Sequence, residues 1–535
     1  MSLRTTCPYC HQTKPDKTII PPISPQSSAD AIAYIQAETQ RIDDLITKLH
    51  EDRSALLRRL NAIQPATRVL FPEILSLIFQ YACPTPDHFQ QQTVQKRQEF
   101  EDEDGYLKFH PGYQEDPPFH PILASVSSQW REIVHSTPNL WSYIQIQGAR
   151  KRDAGKWALF LKNSFERSRN MPLDITLDRL DSSWAENGRI FSTEFDDALQ
   201  RNSRRIRSMF VRGYISQECF SMAETLPNVV DLVFEDLFMI IPGSIPELSF
   251  PLNPPLRRLH LDILNLNTNF DGVVASLTAL NLFRTPIDVC MKLLISCPEL
   301  VEFRCCSSLR PKRVHASSAL SSQISLSRLE LLEWRLERED YAKPWNRDLL
   351  TYINTPALGT LRWVQGSDFS PRRYADVIPG FLARLPLTLE TLEFVDVGLT
   401  PSGSLPTNHI RDDTHIKSIV LQGCHKRLLL ALLRKLQRSG GRPVPFRSLE
   451  SIHCGGLISD VPSEAIGPCL VTMLEQRCDQ VDRFSFSFDD SDSNTILDFD
   501  TVTMERLRKL VKYGFDLTIT SNGDDIFDED EAFGT

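Results

Sequence analysis

One phrase, apolar-x-x-apolar-x-apolar, returns along this chain at intervals of roughly 21 to 33 residues. It reads Ile206-Met209-Val211, Val229-Leu232-Phe234, Leu256-Leu259-Leu261, Leu277-Leu280-Leu282 and Leu300-Phe303-Cys305. It continues through Leu329-Leu332-Trp334, Leu358-Leu361-Trp363, Leu389-Leu392-Phe394, Ile416-Ile419-Leu421, Leu449-Ile452-Cys454 and Val481-Phe484-Phe486. The last two apolar positions alternate with a third residue, as on one face of a β-strand. A unit of about 27 residues cannot bury such a stripe alone, so neighbours must stack and share one interior. Pro227, Pro298 and Pro356 lie just before their phrases, where the chain turns from a helix into a strand. The expectation is an α/β solenoid with a parallel strand ladder over residues 204–520.

The phrase resembles the leucine-rich repeat, which implies one short strand and one helix or loop per turn. The family's Asn, three places after the last apolar residue, is missing. Leu237, Leu264, Thr285, Gly366 and Cys424 stand there. The array is therefore degenerate, with helices of unequal length. The residue between the last two apolar positions should point out of the core. Read in order, these are Phe210, Val233, His260, Asn281, Arg304, Glu333, Arg362, Glu393, Val420, His453 and Ser485. Arg304, Glu333, Arg362 and Glu393 alternate in charge and should form a ladder across adjacent strands. They are the candidate residues for binding a target protein.

A second stretch, residues 64–145, reads as a small helical unit. Leu70, Ile74, Leu75, Ile78 and Phe79 recur at helical spacing, with Pro72 in the first turn, where a missing N–H costs nothing. Leu123, Val126, Trp130 and Ile133 repeat that spacing, and Thr137-Pro138 stops the helix. The wording Leu-x-Pro-Glu-Ile-Leu, then Val-Ser-x-x-Trp-Arg-x-Ile and Thr-Pro-x-Leu-Trp, resembles the F-box. Phe71 separates Leu70 from Pro72 where the family usually has Leu-Pro. The resemblance implies docking on a Skp-type adaptor of a cullin–RING ubiquitin ligase. The matching positions are Leu70, Pro72, Ile74, Leu75, Ile78, Val126, Trp130, Ile133, Leu140 and Trp141. Residues 83–120 interrupt the unit with Pro84, Pro86, a Gln run and an acidic run from Glu101, and read as a polar insertion.

Before this unit, residues 29–63 read as one long amphipathic helix. Ile35, Ile42, Leu49, Leu56 and Ile63 fall seven apart, but Glu38 and Asp52 break the column three places on. Two readings stay open: a homodimeric coiled coil, and a helix packed on the F-box of its own chain. Residues 1–28 read as a disordered tail carrying Cys7, Cys10 and His11. These three are a weak zinc candidate with no second ligand pair at knuckle spacing, or an inert thiol pair. Residues 146–203 read as a helical connector, with a strand-like alternation at Met171 to Leu177. Residues 521–535 read as an acidic disordered tail.

Composition narrows the function. A net charge of -10 argues against a nucleic-acid or anionic-membrane binder. No apolar h-region follows Met1, and no apolar run is long enough to span a bilayer. The twelve cysteines are scattered and read as reduced and buried, which points to the cytoplasm or nucleus. No phosphate-binding glycine loop, nucleophile elbow or His-Glu-x-x-His is present, so neither an enzyme nor a cofactor is expected. The expected function is that of a substrate receptor of a Skp–cullin–F-box ligase, the repeat array holding an unknown target. The alternatives are an adaptor-bound scaffold without a role in ubiquitination, and a zinc- or redox-responsive regulator acting through Cys7 and Cys10.

Overall fold

The computed structural model describes residues 28–63, 70–83, 119–147, 154–180, 193–215, 226–239, 247–249, 255–263, 267–269, 275–283, 285–306, 323–336, 350–365, 378–397, 406–437, 444–458, 465–489, 499–522 and 524–527. Residues 84–118 of the 83–120 insertion and the Cys7, Cys10 and His11 group lie outside the described residues, whereas Phe119 and His120 begin a helix. The chain divides into two compact units, the first formed by residues 1–83 and 117–136 and the second by 84–116 and 137–535.

The first unit holds α1 (Ser28–Ile63), α2 (Pro72–Ala82), α3 (Phe119–Val126) and α4 (Ser128–Ser136). Phe71 is the N-cap of α2 and Pro72 follows in the first turn. Ser127 caps α4, its Oγ accepting from the Trp130 N–H at 3.1 Å. Arg131 Nε donates to the Ala124 carbonyl at 3.0 Å and ties α4 to the end of α3.

The second unit opens with a 3₁₀ turn, Pro138–Trp141, then β1 (Tyr143–Gln147), α5 (Ala154–Arg167), β2 (Leu173–Leu180), α6 (Thr193–Asn202), β3 (Ile206–Ile215) and β4 (Asp231–Met239). Next come β5 (Glu247–Ser249), β6 (Arg258–Ile263), β7 (Asn267–Asn269), β8 (Ala279–Phe283), α7 (Ile287–Ser296), β9 (Glu302–Cys306), β10 (Ile324–Ser325) and β11 (Leu331–Leu336). The remainder is β12 (Ile353–Asn354), β13 (Thr360–Gln365), α8 (Ile378–Leu382), β14 (Thr391–Val395), β15 (Ser418–Gln422), α9 (Lys426–Lys435), β16 (Ser451–Gly455), α10 (Ile466–Glu475), β17 (Arg483–Asp489), α11 (Thr501–Lys512), β18 (Asp516–Ser521) and β19 (Asp524–Asp525).

One 15-stranded sheet runs β1-β2-β3-β4-β6-β8-β9-β11-β13-β14-β15-β16-β17-β18-β19, and only its last pair is antiparallel. The short pairs β5–β7 and β10–β12 form separate ribbons. Every long strand thus pairs with the next long strand in sequence, as a solenoid requires. The repeat phrase supplies the interior. Ile144, Ile175, Met209, Leu232, Leu259, Leu280, Phe303, Leu332, Leu361, Leu392, Ile419 and Ile452 form one column, none more than 1% exposed. Helices α7, α9 and α10 bury their apolar faces in the same core. Each fully buried Leu or Ile there contributes about 1.5–3 kcal/mol.

The ladder starts two strands before residue 204. Residues 143–147, at the junction of the expected F-box unit and connector, and residues 173–180, where the alternation from Met171 to Leu177 suggests a strand, are β1 and β2 of the same sheet. Their phrase is present but disguised, as Trp141-Ile144-Ile146 and Pro172-Ile175-Leu177. The last phrase is also shifted. Ile452 pairs with Phe486 and Cys454 with Phe488, two places beyond the spacing of the phrase. Phe484, Phe486 and Phe488 all face inward, so a two-residue slip leaves every side chain on its proper face. Residues 521–522 and 524–527 of the acidic C-terminal stretch are among the described residues. Asp524–Asp525 pairs with β18, and Ile526 and Phe527, the apolar residues of that run, pack on the core.

With no Asn ladder, the turns after the strands use other chemistry. Asp396, Gly423 and Gly456 take positive φ at equivalent places, directly after β14, β15 and β16. A Cβ on Gly423 would collide with the Asp396 carboxylate, and its φ of +61° strains any L side chain, so the position favours glycine. Cys424 Sγ–H donates to the Phe394 carbonyl at 3.3 Å, from one turn to the turn before it. Burial pushes the thiols of Cys297 and Cys424 up to about 12 and also raises that of Cys454, so they remain protonated.

Arginines staple turns that lie one repeat apart. Arg205 donates to the Phe165 and Met171 carbonyls and to Ser168 Oγ. Arg384 donates to the Leu350 and Thr351 carbonyls at 2.7 and 2.8 Å. Arg477 is fully buried and donates to the carbonyls of Phe446, at 2.9 Å, and Pro445. Burial lowers its guanidinium to about 10.

Candidate functional site

Two surfaces carry the residues singled out by sequence. The first is the outer face of the sheet, opposite the core. The register pairs Arg304 with Glu333, Glu333 with Arg362, and Arg362 with Glu393. The side chains meet as the alternation predicts. Glu333 Oε2 lies 3.7 Å from Arg304 Nη1 and 3.8 Å from Arg362 Nη1, and Arg362 Nε lies 3.4 Å from Glu393 Oε2. Glu302 adds a contact to Arg304 at 3.7 Å. Glu333, between two guanidiniums, is 7% exposed, whereas the two arginines and Glu393 are half-buried.

The face changes character on either side of this ladder. Towards the N-terminus it is aromatic and aliphatic. Phe210 and Val233 are followed by His260, whose ring stacks on Phe283 at 5.3 Å and whose Nδ1 lies 2.8 Å from Asn281 Nδ2. Towards the C-terminus it becomes hydroxylic. Thr360, Thr391, Ser418, Ser451, Ser485 and Thr518 lie side by side on six consecutive strands. Ser451 Oγ donates to Ser418 Oγ at 2.9 Å, and His453 Nδ1 meets Ser487 Oγ at 2.7 Å. Ser487, not Ser485, therefore stands opposite His453, a consequence of the shifted register.

The second surface is on the helical unit. Leu75 and Phe79, four apart on α2, are buried, and Phe79 meets Trp130 of α4 with ring centroids 4.6 Å apart. Leu123, Ile133 and Val134 complete this small interior. The other face of α2 stays open: Ile74, Leu77, Ile78 and Tyr81 recur at i, i+3, i+4 and i+7, all exposed, with Tyr81 90% and Phe71 72% exposed. Ile122 and Val126 of α3 are exposed apolar residues of the same unit.

The ten residues expected on the adaptor surface therefore divide. Ile74, Ile78, Val126 and Pro72 are open, and Leu70 and Trp130 are half-buried. Leu75 and Ile133 are core, because their helical positions face the Phe79–Trp130 contact. Leu140 and Trp141 belong to the other compact unit, where they are buried ahead of β1 and Arg167 lies 4.5 Å over the Trp141 ring. Phe71, Leu77, Tyr81 and Ile122 were not among the expected residues. The signal for Leu77 and Tyr81 was legible, since α2 is apolar on both faces, and a helix of that kind is covered on both.

Among the described residues no cluster of His, Cys, Asp or Glu is arranged to hold a metal ion, and no helix is long and apolar enough to cross a membrane. No protein-family model matches the chain, and no curated protein matches it.

Proposed function

We propose that this chain is the substrate-recognition subunit of a Skp–cullin–F-box ubiquitin ligase, with the helical unit docking the adaptor and the repeat array binding the target protein. The observation that carries this reading is the uncovered face of α2. Ile74, Leu77, Ile78 and Tyr81, with Phe71 beside them, leave an apolar stripe on a unit too small to cover it. Apolar helix faces of this kind are read by a groove in a partner. The F-box wording over Leu70 to Phe79 and Val126 to Ile133 makes a Skp-type adaptor the partner of choice. The chain supplies no chemistry in this reading. It holds a target near the ligase's conjugating enzyme and raises the effective concentration of the reacting groups.

Target binding is assigned to the outer face of the sheet, at the Arg304–Glu333–Arg362–Glu393 ladder. Its ion pairs run from 3.4 to 3.8 Å, a spacing that leaves their donors able to turn to a charged partner. The test is direct titration of the purified chain with purified Skp-type adaptor, followed by addition of cullin. Saturable binding that is lost in Ile78→Glu, with unchanged circular dichroism, supports the reading. Equal affinity of the wild type and Ile78→Glu refutes it. Adaptor binding without recruitment of cullin favours the scaffold alternative.

A further inference from the structure

Helix α1 extends for 36 residues, about 54 Å, and its described side chains are exposed or half-buried along its whole length, none of them buried. Ile32, Ile35, Ile42, Leu45, Ile46, Leu49, Leu56, Leu57 and Leu60 are all exposed, Leu49 by 65%. Among the described residues, the option of a helix lying on its own chain therefore has no covered apolar face to support it. An uncovered apolar stripe of that length is not a stable surface for a single copy in water.

The stripe has heptad order once its second column is taken three places before the first. Ile35, Ile42, Leu49 and Leu56 then form one column, and Ile32, Thr39, Ile46, Arg53 and Leu60 the other. The flanking residues decide orientation. In a parallel pair, Glu38 of one copy faces Asp43 of the other, and the two Arg53 side chains meet in the seam. Both contacts are repulsive. In an antiparallel pair centred between Thr47 and Lys48, Ile46 meets Leu49, Ile35 meets Leu60, and each Arg53 meets Ile42. Glu38 then faces Arg59 and Asp43 faces His50, each twice by symmetry.

We infer that α1 is the interface of an antiparallel homodimer, occupied by the same helix of a second copy. In the single helix the Glu38 carboxylate turns to Arg41, at 2.6 Å and exposed, so it can exchange that partner for Arg59 of the second copy. The two α2 segments then leave from opposite ends of a rod about 50 Å long, so two helical units are held apart. This inference does not depend on what α2 binds.

The test is sedimentation equilibrium of the full chain at micromolar concentration, with circular dichroism as the control for folding. The wild type is expected to be dimeric and Ile46→Asp monomeric. A monomeric wild type, or a dimeric Ile46→Asp, overturns the inference. Glu38→Arg distinguishes the orientations because the same change acts with opposite sign. The antiparallel pair places the new arginine against Arg59 and weakens the dimer about tenfold. A parallel pair places it against Asp43 and strengthens the dimer, which overturns the orientation. The double exchange Glu38→Arg with Arg59→Glu restores wild-type affinity in the antiparallel dimer, and failure to restore it overturns the pairing.

Discussion

Helices α2 and α9 are similar in length and apolar content and opposite in fate. Both are short and rich in Leu or Ile, and each carries apolar residues around most of its circumference. In α9, Leu428, Leu429, Leu430, Leu432 and Leu433 are all buried, because the sheet lies on one side and the helices of neighbouring turns on the others. In α2 only Leu75 and Phe79 are buried, while Ile74, Leu77, Ile78 and Tyr81 remain open. The array covers its own helices by repetition, whereas the described elements of the helical unit are too few to do so. An apolar face inside a solenoid is therefore a statement about folding, and the same face on a small helical unit is a statement about a partner.

The sharpest way to break that comparison is to truncate one Leu on each helix. Leu429→Ala removes a fully buried side chain and should cost about 2–5 kcal/mol, seen as a fall in thermal midpoint. Leu77→Ala should stay within about 0.5 kcal/mol of the wild type. Equal costs would mean that α2 is covered within the chain, and would remove the argument for a partner.

The second effect belongs to the open face. Ile78→Ala should leave the thermal midpoint unchanged and weaken binding of the adaptor by about 2–4 kcal/mol, measured by titration calorimetry. Trp130→Ala is less clean, because its contact with Phe79 serves the interior of the unit as well. It should lose stability and binding together.

These outcomes bear on how far the sequence could be read. The phrase located each inner column from β3 to β16 because a residue that must be buried on every turn leaves a periodic trace. It did not reach β1 and β2, because Trp141 and Pro172 occupy positions elsewhere held by Leu, Ile or Val, although the alternation from Met171 to Leu177 marks β2 as a strand on its own. It mispaired β17 because Phe-Ser-Phe-Ser-Phe satisfies the alternation in two registers, and hydrogen bonding to β16 chooses between them. The helical unit was legible as helices. Which of its apolar residues face inward was not, since Ile74 and Leu75 are adjacent and alike, and only the position of Trp130 separates them. The capping arginines left no trace, because Arg477 in isolation reads as a surface residue.

A third effect lies at the end of α9. The Lys435 ammonium is mostly buried, 4.9 Å over the Phe446 ring and 4.0 Å from Asp412 Oδ1, and donates to the Thr407 carbonyl. Burial lowers its pKa from 10.5 to about 8, against the opposing pull of Asp412. A base with a lowered folded pKa carries its full penalty below about pH 8, where both folded and unfolded states are protonated. Between about pH 8 and 10.5 the unfolded chain still holds the proton that the folded chain has released, so the penalty is relieved as pH rises. The stability of the wild type minus that of Lys435→Met should therefore increase over that window, by about 1–3 kcal/mol. Taking the difference between the two proteins removes the opposite trend of the buried thiols. A flat difference would mean that Lys435 is solvated, and that the cover over α9 ends before its last turn.

The smallest effect tests the outer face of the sheet whose inner face covers α9. Glu333 is ion-paired with arginines on both neighbouring strands, and Arg362 lies between two carboxylates, so the ladder is one connected set rather than isolated pairs. Coupling between Glu333 and Arg362 in a double-mutant cycle should be about 0.2–1 kcal/mol, the range of cross-strand ion pairs. Since Glu333 is nearly buried, salt should reduce this coupling less than that of the more exposed Lys417–Glu390 pair, 2.8 Å apart at the start of the strands. Zero coupling at low salt would mean that the side chains do not meet, even though the backbone register pairs them. Coupling that survives in Glu333 and Arg362 but is lost on addition of an identified target would place the target on the ladder. Coupling that persists in the complex would move target binding to the aromatic or hydroxylic parts of the same face.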